Sequence, residues 1–313
     1  MLNILLLVIR RLLQLIPTLF FIAVVVFVLV HLLPGDPAMA MIGDRATAAD
    51  IIKVDHQLGV DRPLWVQFIA FLVRLLHGDL GMSSELHEPV LTLVAQRVPV
   101  TLLLSVLAAI IAVVLAVPLA FVAALRHDRE ADAVIRGAFQ VGLSMPVFYI
   151  GLLLLTFFGA QLHWFPVGGY GNGFFGHLYH LFLPALTLAL SLSAILMRNL
   201  RQAILSVIAS DYVDFARSKG LAARIILFRH VLRNALISTV TLFGLQVGSL
   251  LGGAVVTETV FAIPGAGRLM IDSIYGRDYS VVQGTTLCLA VIVSFSFLLT
   301  ELFQAWLDPR ISR

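Results

Sequence analysis

The chain of 313 residues is 60% hydrophobic and only 12% charged, with a net charge of +3 at neutral pH. Soluble domains carry about 25% charged residues, so this composition excludes an ordinary soluble globule, and a charge this small, scattered among apolar runs, excludes nucleic-acid binding. The lone cysteine, Cys288, excludes an intrachain disulfide and any multi-cysteine metal site.

The first element is the apolar run Leu12–Val30, preceded by Arg10 and Arg11. Ala38-Met39-Ala40 has the form of a signal-peptidase site. The run, however, exceeds the roughly 7–15 residues of a secretory h-region and matches the roughly 20 that cross a bilayer. It reads as a retained first span, Leu12–Leu32. Five further apolar runs of spanning length follow at Thr101–Ala124, Val134–Phe158, Leu181–Met197, Ala235–Thr257 and Thr285–Leu307. The shorter run Leu64–Leu76 carries Arg74 and reads as an amphipathic or partly inserted helix. The expected architecture is an all-α membrane protein of six transmembrane helices. Its segments are 1–33 (N-terminal segment and first span), 34–99 (a long external loop holding the amphipathic helix), 100–308 (a five-helix core) and 309–313 (a tail).

Arginine and lysine set the orientation, because they collect on the cytoplasmic side. With the N-terminus inside, 14 of the 21 Lys and Arg fall in inner segments, and the loop Ala160–His180 has none. Both termini are therefore expected in the cytoplasm. Pro118, Pro146 and Pro184 lie inside spans, where each removes a backbone donor and invites a kink. That fits either a bent wall around a pathway or ordinary transmembrane proline.

Between the fourth and fifth spans lies a polar, Arg-rich island, Asp211–Arg233, far longer than a chain reversal requires. Ser210 and Asp211 are N-cap residue types. Asp211 and Asp214 would occupy the first turn of a short helix and Arg217 and Lys219 the last, the order that complements the helix dipole. Gly220 suits the left-handed position after it, and a second helical stretch, Ala222–Leu232, leads back to the membrane. Tyr212 and Phe215, three residues apart, share a face. They form either a knob for a groove on another protein or packing against the chain's own helices.

In the fifth span Gly244, Gly248 and Gly252 recur every four residues, and Ser249 and Gly253 widen the stripe. Small residues so arranged let a second helix approach closely, from a partner or from within the chain. Gln246 and Ser249 are polar enough to face a water-filled path. Glu258 ends the span on the outer side, as an interfacial anchor or a gate. His163, His177 and His180 cluster near an external loop, but no neighbouring cysteine or carboxylate completes a ligand set, so no metal is expected. No phosphate-binding G-x-x-x-x-G-K-[ST], no H-E-x-x-H and no G-x-S-x-G occurs.

Asp214-Phe215-Ala216, then Gly220 after three residues, then His230-Val231-Leu232-Arg233 after nine more, follow the spacing of the cytoplasmic EAA loop of ABC-importer permeases. The departures from its general form match the dipeptide/oligopeptide/nickel branch, in Asp211-Tyr212-Val213, Ala216-Arg217-Ser218-Lys219-Gly220-Leu221 and Arg229-His230-Val231-Leu232-Arg233-Asn234-Ala235. Leu32–Ala38, Leu58–Leu64, Gly78–Gly81, Glu258–Phe261, Pro264–Arg268, Arg277–Tyr279 and Asp308–Ile311 resemble the same branch in the same order, over essentially the whole chain.

The resemblance implies a type I importer permease in the bacterial cytoplasmic membrane. It implies pairing with a second, homologous permease, two ATPase subunits or domains that hold ATP and magnesium, and an external solute-binding protein. This chain itself would be no enzyme and would carry no cofactor. ATPase coupling would fall to Asp211, Tyr212, Asp214, Phe215, Ala216, Arg217, Lys219, Gly220, Leu221 and His230. Gly244, Gln246, Gly248, Ser249, Gly252 and Glu258 would line the path or pack helices. Di- or oligopeptides are the expected cargo, with nickel or metal chelates and glutathione as alternatives. An intramembrane enzyme would need paired polar or metal-ligating groups at bilayer depth, and none stands at suitable spacing; a channel or secondary transporter would not need so long an inner loop and would normally carry more intramembrane charge.

Overall fold

The computed structural model is almost wholly helical and describes residues 2–32 and 62–307. The motifs at 33–38 and 58–61, and the tail from 308, lie outside the described residues. In chain order the helices are α1 (Leu2–Leu32), α2 (Leu64–Leu76), α3 (Val90–Leu125), α4 (Glu130–Ser144), α5 (Val147–Gln161), α6 (Gly173–Ile208), α7 (Asp211–Ser218), α8 (Ala223–Val260), α9 (Ala266–Tyr275) and α10 (Tyr279–Leu307). The chain divides into two compact units. One comprises residues 1–8, 102–263 and 295–313; the other comprises 9–101 and 264–294.

Among the described residues, α3, α6, α8 and α10 are long and apolar enough to cross a membrane, and α1 has a shorter apolar stretch, Leu13–Leu29. The third expected span, Val134–Phe158, is not one straight helix. It is the pair α4 and α5, bent by 106° at Met145–Pro146. The cause is local. A proline ring disfavours the helical conformation of the residue before it, and Met145 is extended, with φ −91° and ψ 136°. Pro118 and Pro184 lie within α3 and α6, which run on without a break.

In the first unit α6 is the central helix: 67% of its most apolar stretch is buried, against 11% for α10. Leu181, Leu183, Leu196, Met197, Leu200 and Ile204 are all buried on it. On α3, Ala108, Ala112, Ala116 and Ala120 form a buried small-residue stripe with the four-residue repeat that permits close helix approach. The outer faces of α3 and α10 keep large apolar side chains uncovered, among them Ile110, Val114, Phe295 and Leu299. Apolar surface on that scale is what lipid or another subunit covers.

In the second unit α2 has one packed face and an exposed face that is also largely apolar. Phe71 is buried, and Phe68 packs edge-on against Phe27 with centroids 5.2 Å apart. Leu64, Trp65 and Leu76 are exposed. Gly78 and Gly81 both have positive φ, 75° and 86°, which glycine adopts without a Cβ clash. The Asp79 carboxylate accepts the Gly81 N–H at 2.8 Å inside that turn. Buried Asp278 accepts hydrogen bonds from the Ser83 hydroxyl and the backbone N–H groups of Glu85 and Val281. It thereby caps the start of α10 and ties it to the segment before α3. The shared Arg277-Asp278-Tyr279 motif is thus a structural clamp.

Candidate functional site: the exposed helix between α6 and α8

Helix α7 spans eight residues and presents two contrasting faces. Val213 and Ala216 point inward and are buried, while Asp211, Tyr212, Asp214, Phe215 and Arg217 are exposed. A three-residue spacing on a 3.6-residue helix puts Val213 and Ala216 on one face, and Tyr212 and Phe215 on another. Phe215 is 62% exposed and Tyr212 43%. The knob is therefore presented to solvent, except that the Tyr212 hydroxyl accepts a hydrogen bond from the Asn234 side-chain amide at 3.0 Å.

The start of α7 differs from expectation. Ser210 occupies the N-cap position, but its hydroxyl turns back to the Val207 carbonyl, so no side chain caps the helix. The end matches a Schellman closure in both bonds. The Gly220 N–H donates to the Arg217 carbonyl at 2.9 Å, and the Leu221 N–H to the Ala216 carbonyl at 3.4 Å. Gly220 has φ 75°, a conformation costing a residue with a Cβ about 1–2 kcal/mol.

Electrostatics holds the exposed face together locally. Asp214 and Arg217 pair at 3.0 Å, and the Lys219 ammonium lies 4.6 Å from the Phe215 ring centroid. An exposed pair of this kind contributes no more than about 1 kcal/mol. It orders the side chains around Phe215 more than it stabilises the fold. Arg217 and Lys219 are exposed, as are Gly220 and Leu221.

The second stretch of the island is not a separate helix. It continues from Ala223 into the fifth span as α8, through a π-helical stretch at Ile226–Leu232. π-helical insertions are rare and recur at functional sites. His230 lies in this stretch, half-buried, and its carbonyl accepts from the Asn234 amide at 2.7 Å. Asn234 thus joins α7 to the π-helical stretch.

The glycine stripe of α8 divides. A Cβ at Gly244 would overlap the Thr300 methyl of α10, and one at Gly253 would press on Leu188 of α6, whereas nothing lies within 4 Å of Gly252. Ser249 is exposed, Gln246 and Gly248 are half-buried, and Glu258, near the end of α8, is fully buried. Near the external loop, His177 Nδ1 contacts the Tyr170 carbonyl at 2.9 Å and His180 Nδ1 the Gly176 carbonyl at 2.9 Å.

One pair was not visible in the sequence pattern. Asp132 of α4 is fully buried and receives two hydrogen bonds from Arg201 of α6, from Nε at 2.7 Å and from an Nη at 2.6 Å. The Asp128 N–H and the Arg136 guanidinium add contacts at 3.3 and 3.4 Å. Sixty-nine positions separate the two partners, and neither belongs to a local motif.

A bundle of apolar helices that holds an exposed helix between two of its longest members has the make-up of a multi-pass membrane protein. The chain belongs to the family described as binding-protein-dependent transport system inner membrane component, whose signature matches residues 116–313, with the corresponding N-terminal component matching residues 4–105. It is a multi-pass inner-membrane permease subunit of an ABC importer. It is 39% identical to the glutathione transport system permease protein GsiC of Salmonella choleraesuis and 38% identical to that of Escherichia coli K12, in each case over 97% of this chain and 98% of the relative. The fold is shared with the inward-facing MetNI methionine ABC transporter at a TM-score of 0.59 and 15% identity, over 69% of this chain and 96% of that one. An amino acid ABC transporter solved with histidines matches at a TM-score of 0.51 and 18% identity, over 70% and 94% of the two chains.

Proposed function

We propose that this permease carries short peptides inward, glutathione among them, and that ATPase subunits drive it through α7. The observation that carries the cargo reading is the 39% identity, along nearly the full chain, to permeases named for glutathione transport. Glutathione is itself a tripeptide, so this narrows the peptide reading without replacing it. ATP and magnesium belong to the partner ATPases, and this chain holds no cofactor. A second permease completes the path, and a solute-binding protein delivers cargo from outside.

In this mechanism Phe215 and Tyr212 of α7 sit in a groove on an ATPase. Closure of the ATPase pair on ATP moves α7 as a unit, because the Schellman closure at Gly220 fixes its end and the Asn234 bridge ties it to α8. The spans rock and the path opens outward; hydrolysis resets it. A ligand shifts such an equilibrium only through its differential affinity for the two states, and the ATPase groove supplies that difference. The test is uptake by proteoliposomes containing both permeases and the ATPases, with the solute-binding protein added outside and labelled glutathione or a labelled dipeptide as cargo. ATP-dependent accumulation of either is expected. Absence of both, with accumulation of a nickel chelate instead, overturns the cargo reading.

A further inference from the structure

A groove of about 1080 Å³ opens between α4 and α6 in the first unit, with Leu242 of α8 at its margin. Beside apolar residues its lining carries Arg136 and Gln140 from α4 and Arg198, Asn199, Arg201 and Gln202 from α6. Arg136, Arg198 and Arg201 line the groove, and the neighbouring Asp132 carboxylate is taken up by Arg201. Arg136 reaches it through a single 3.4 Å contact and remains about half exposed. Arg198 is exposed, and among the described residues no carboxylate pairs with it. A cleft lined by charge of one sign concentrates counter-ions.

Loop arginines satisfy the positive-inside rule without any ligand. Arg198 sits on α6 itself, ten residues before its end, about 15 Å along the axis, and lines the groove. Guanidinium groups bind carboxylate and phosphate through paired N–H donors, and the three amides offer donors and acceptors for the rest of a small polar molecule.

We infer that this groove, at the α7-proximal end of α6, is an oxyanion-binding site in which Arg198 and Arg136 hold a carboxylate or phosphate group while Asp132 keeps Arg201 in place as the wall between them. One source is the carboxylate of the transported peptide on its way to the cytoplasm, which rests on the cargo reading above. The other is the phosphate of an anionic lipid.

The experiment uses the assembled complex in nanodiscs of phosphatidylcholine alone, without solute-binding protein, and measures direct binding of reduced glutathione and of its diester. If the carboxylate is the ligand, glutathione binds, the diester binds at least tenfold more weakly, and Arg198→Gln weakens glutathione about tenfold. If the phosphate is the ligand, native mass spectrometry of complex taken from its own membrane shows an anionic lipid on the wild type that Arg198→Gln loses. The inference is overturned if Arg198→Gln alters neither glutathione binding nor lipid retention. Failure of the cargo reading is a separate result, because it appears as absent wild-type uptake in the proteoliposome assay.

Discussion

The Asn234 amide nitrogen lies 3.0 Å from the Tyr212 hydroxyl and 2.7 Å from the His230 carbonyl, so one side chain joins the exposed helix α7 to the π-helical start of α8. Asn234→Leu removes both bonds at a solvent-exposed position. Each is worth about 0.5–1.5 kcal/mol, so thermal stability in detergent should change little. Transport should suffer more, because α7 loses a tether to the span it moves. The expected outcome is a several-fold fall in substrate moved per ATP hydrolysed, read from paired uptake and phosphate-release assays. Unchanged stoichiometry would sink the tether.

Gly220→Val places a β-branched side chain at φ 75°. Nothing lies within 4 Å of the added Cβ, so the cost is conformational rather than steric packing, about 1–2 kcal/mol. Membrane insertion should be normal and ATP hydrolysis should persist, while uptake drops. Gly220→Ala should show the same pattern more weakly. Normal uptake by the valine variant counts against α7 as the coupling element.

Phe215→Ala removes the most exposed aromatic of α7 without touching its buried face. Interfaces concentrate their energy in such aromatic anchors, each worth about 2 kcal/mol or more. ATPase subunits should co-purify at least tenfold less well, at unchanged permease level. Equal recovery of the ATPases would show that docking rests elsewhere.

Asp132→Ala leaves the Arg201 guanidinium buried without its partner. Breaking a buried pair from one side costs about 3–5 kcal/mol, whereas replacing both members with apolar residues is often neutral. The single variant should unfold at markedly lower temperature in detergent. Asp132→Leu combined with Arg201→Met should recover most of the loss. A double variant as unstable as the single one would mean that the pair does more than satisfy itself.

Gly244→Ala drives a methyl into Thr300, and overpacking of this kind costs about 1–3 kcal/mol. Gly252→Ala meets open space and should leave the stability of the isolated chain unchanged. If α8 meets the second permease along this stretch, Gly252→Leu will weaken co-purification of that partner. Chemical denaturation of the isolated chain and pull-down of the pair separate the two effects.

Much of the architecture was legible because lipid leaves the sequence few options. Apolar length marks a span, and the α2 boundaries Leu64–Leu76 coincide with the observed helix because the apolar run and its flanking turn residues agree there. Gly220 was readable because few residues other than glycine suit its conformation. Three features were not. The break at Met145–Pro146 looks like any transmembrane proline until the backbone before it is seen to be extended, and Pro118 and Pro184 carry the same signal with no break. The fusion of Ala223–Leu232 with the fifth span depends on a π-helical stretch, which has no periodicity of its own to read. Asp132 and Arg201 meet only through the packing of α4 on α6, and Asp132 reads in sequence as an ordinary acidic residue in a first turn.

The continuity of α8 also has a mechanical consequence. Thirty-eight unbroken residues make a strut about 57 Å long, nearly twice the roughly 30 Å thickness of the hydrocarbon layer. Buried Glu258 sits near its far tip. A stiff beam converts a small tilt at one end into a larger sweep at the other. The π-helical stretch at Ile226–Leu232 lies near its base, beside the Asn234 bond to α7.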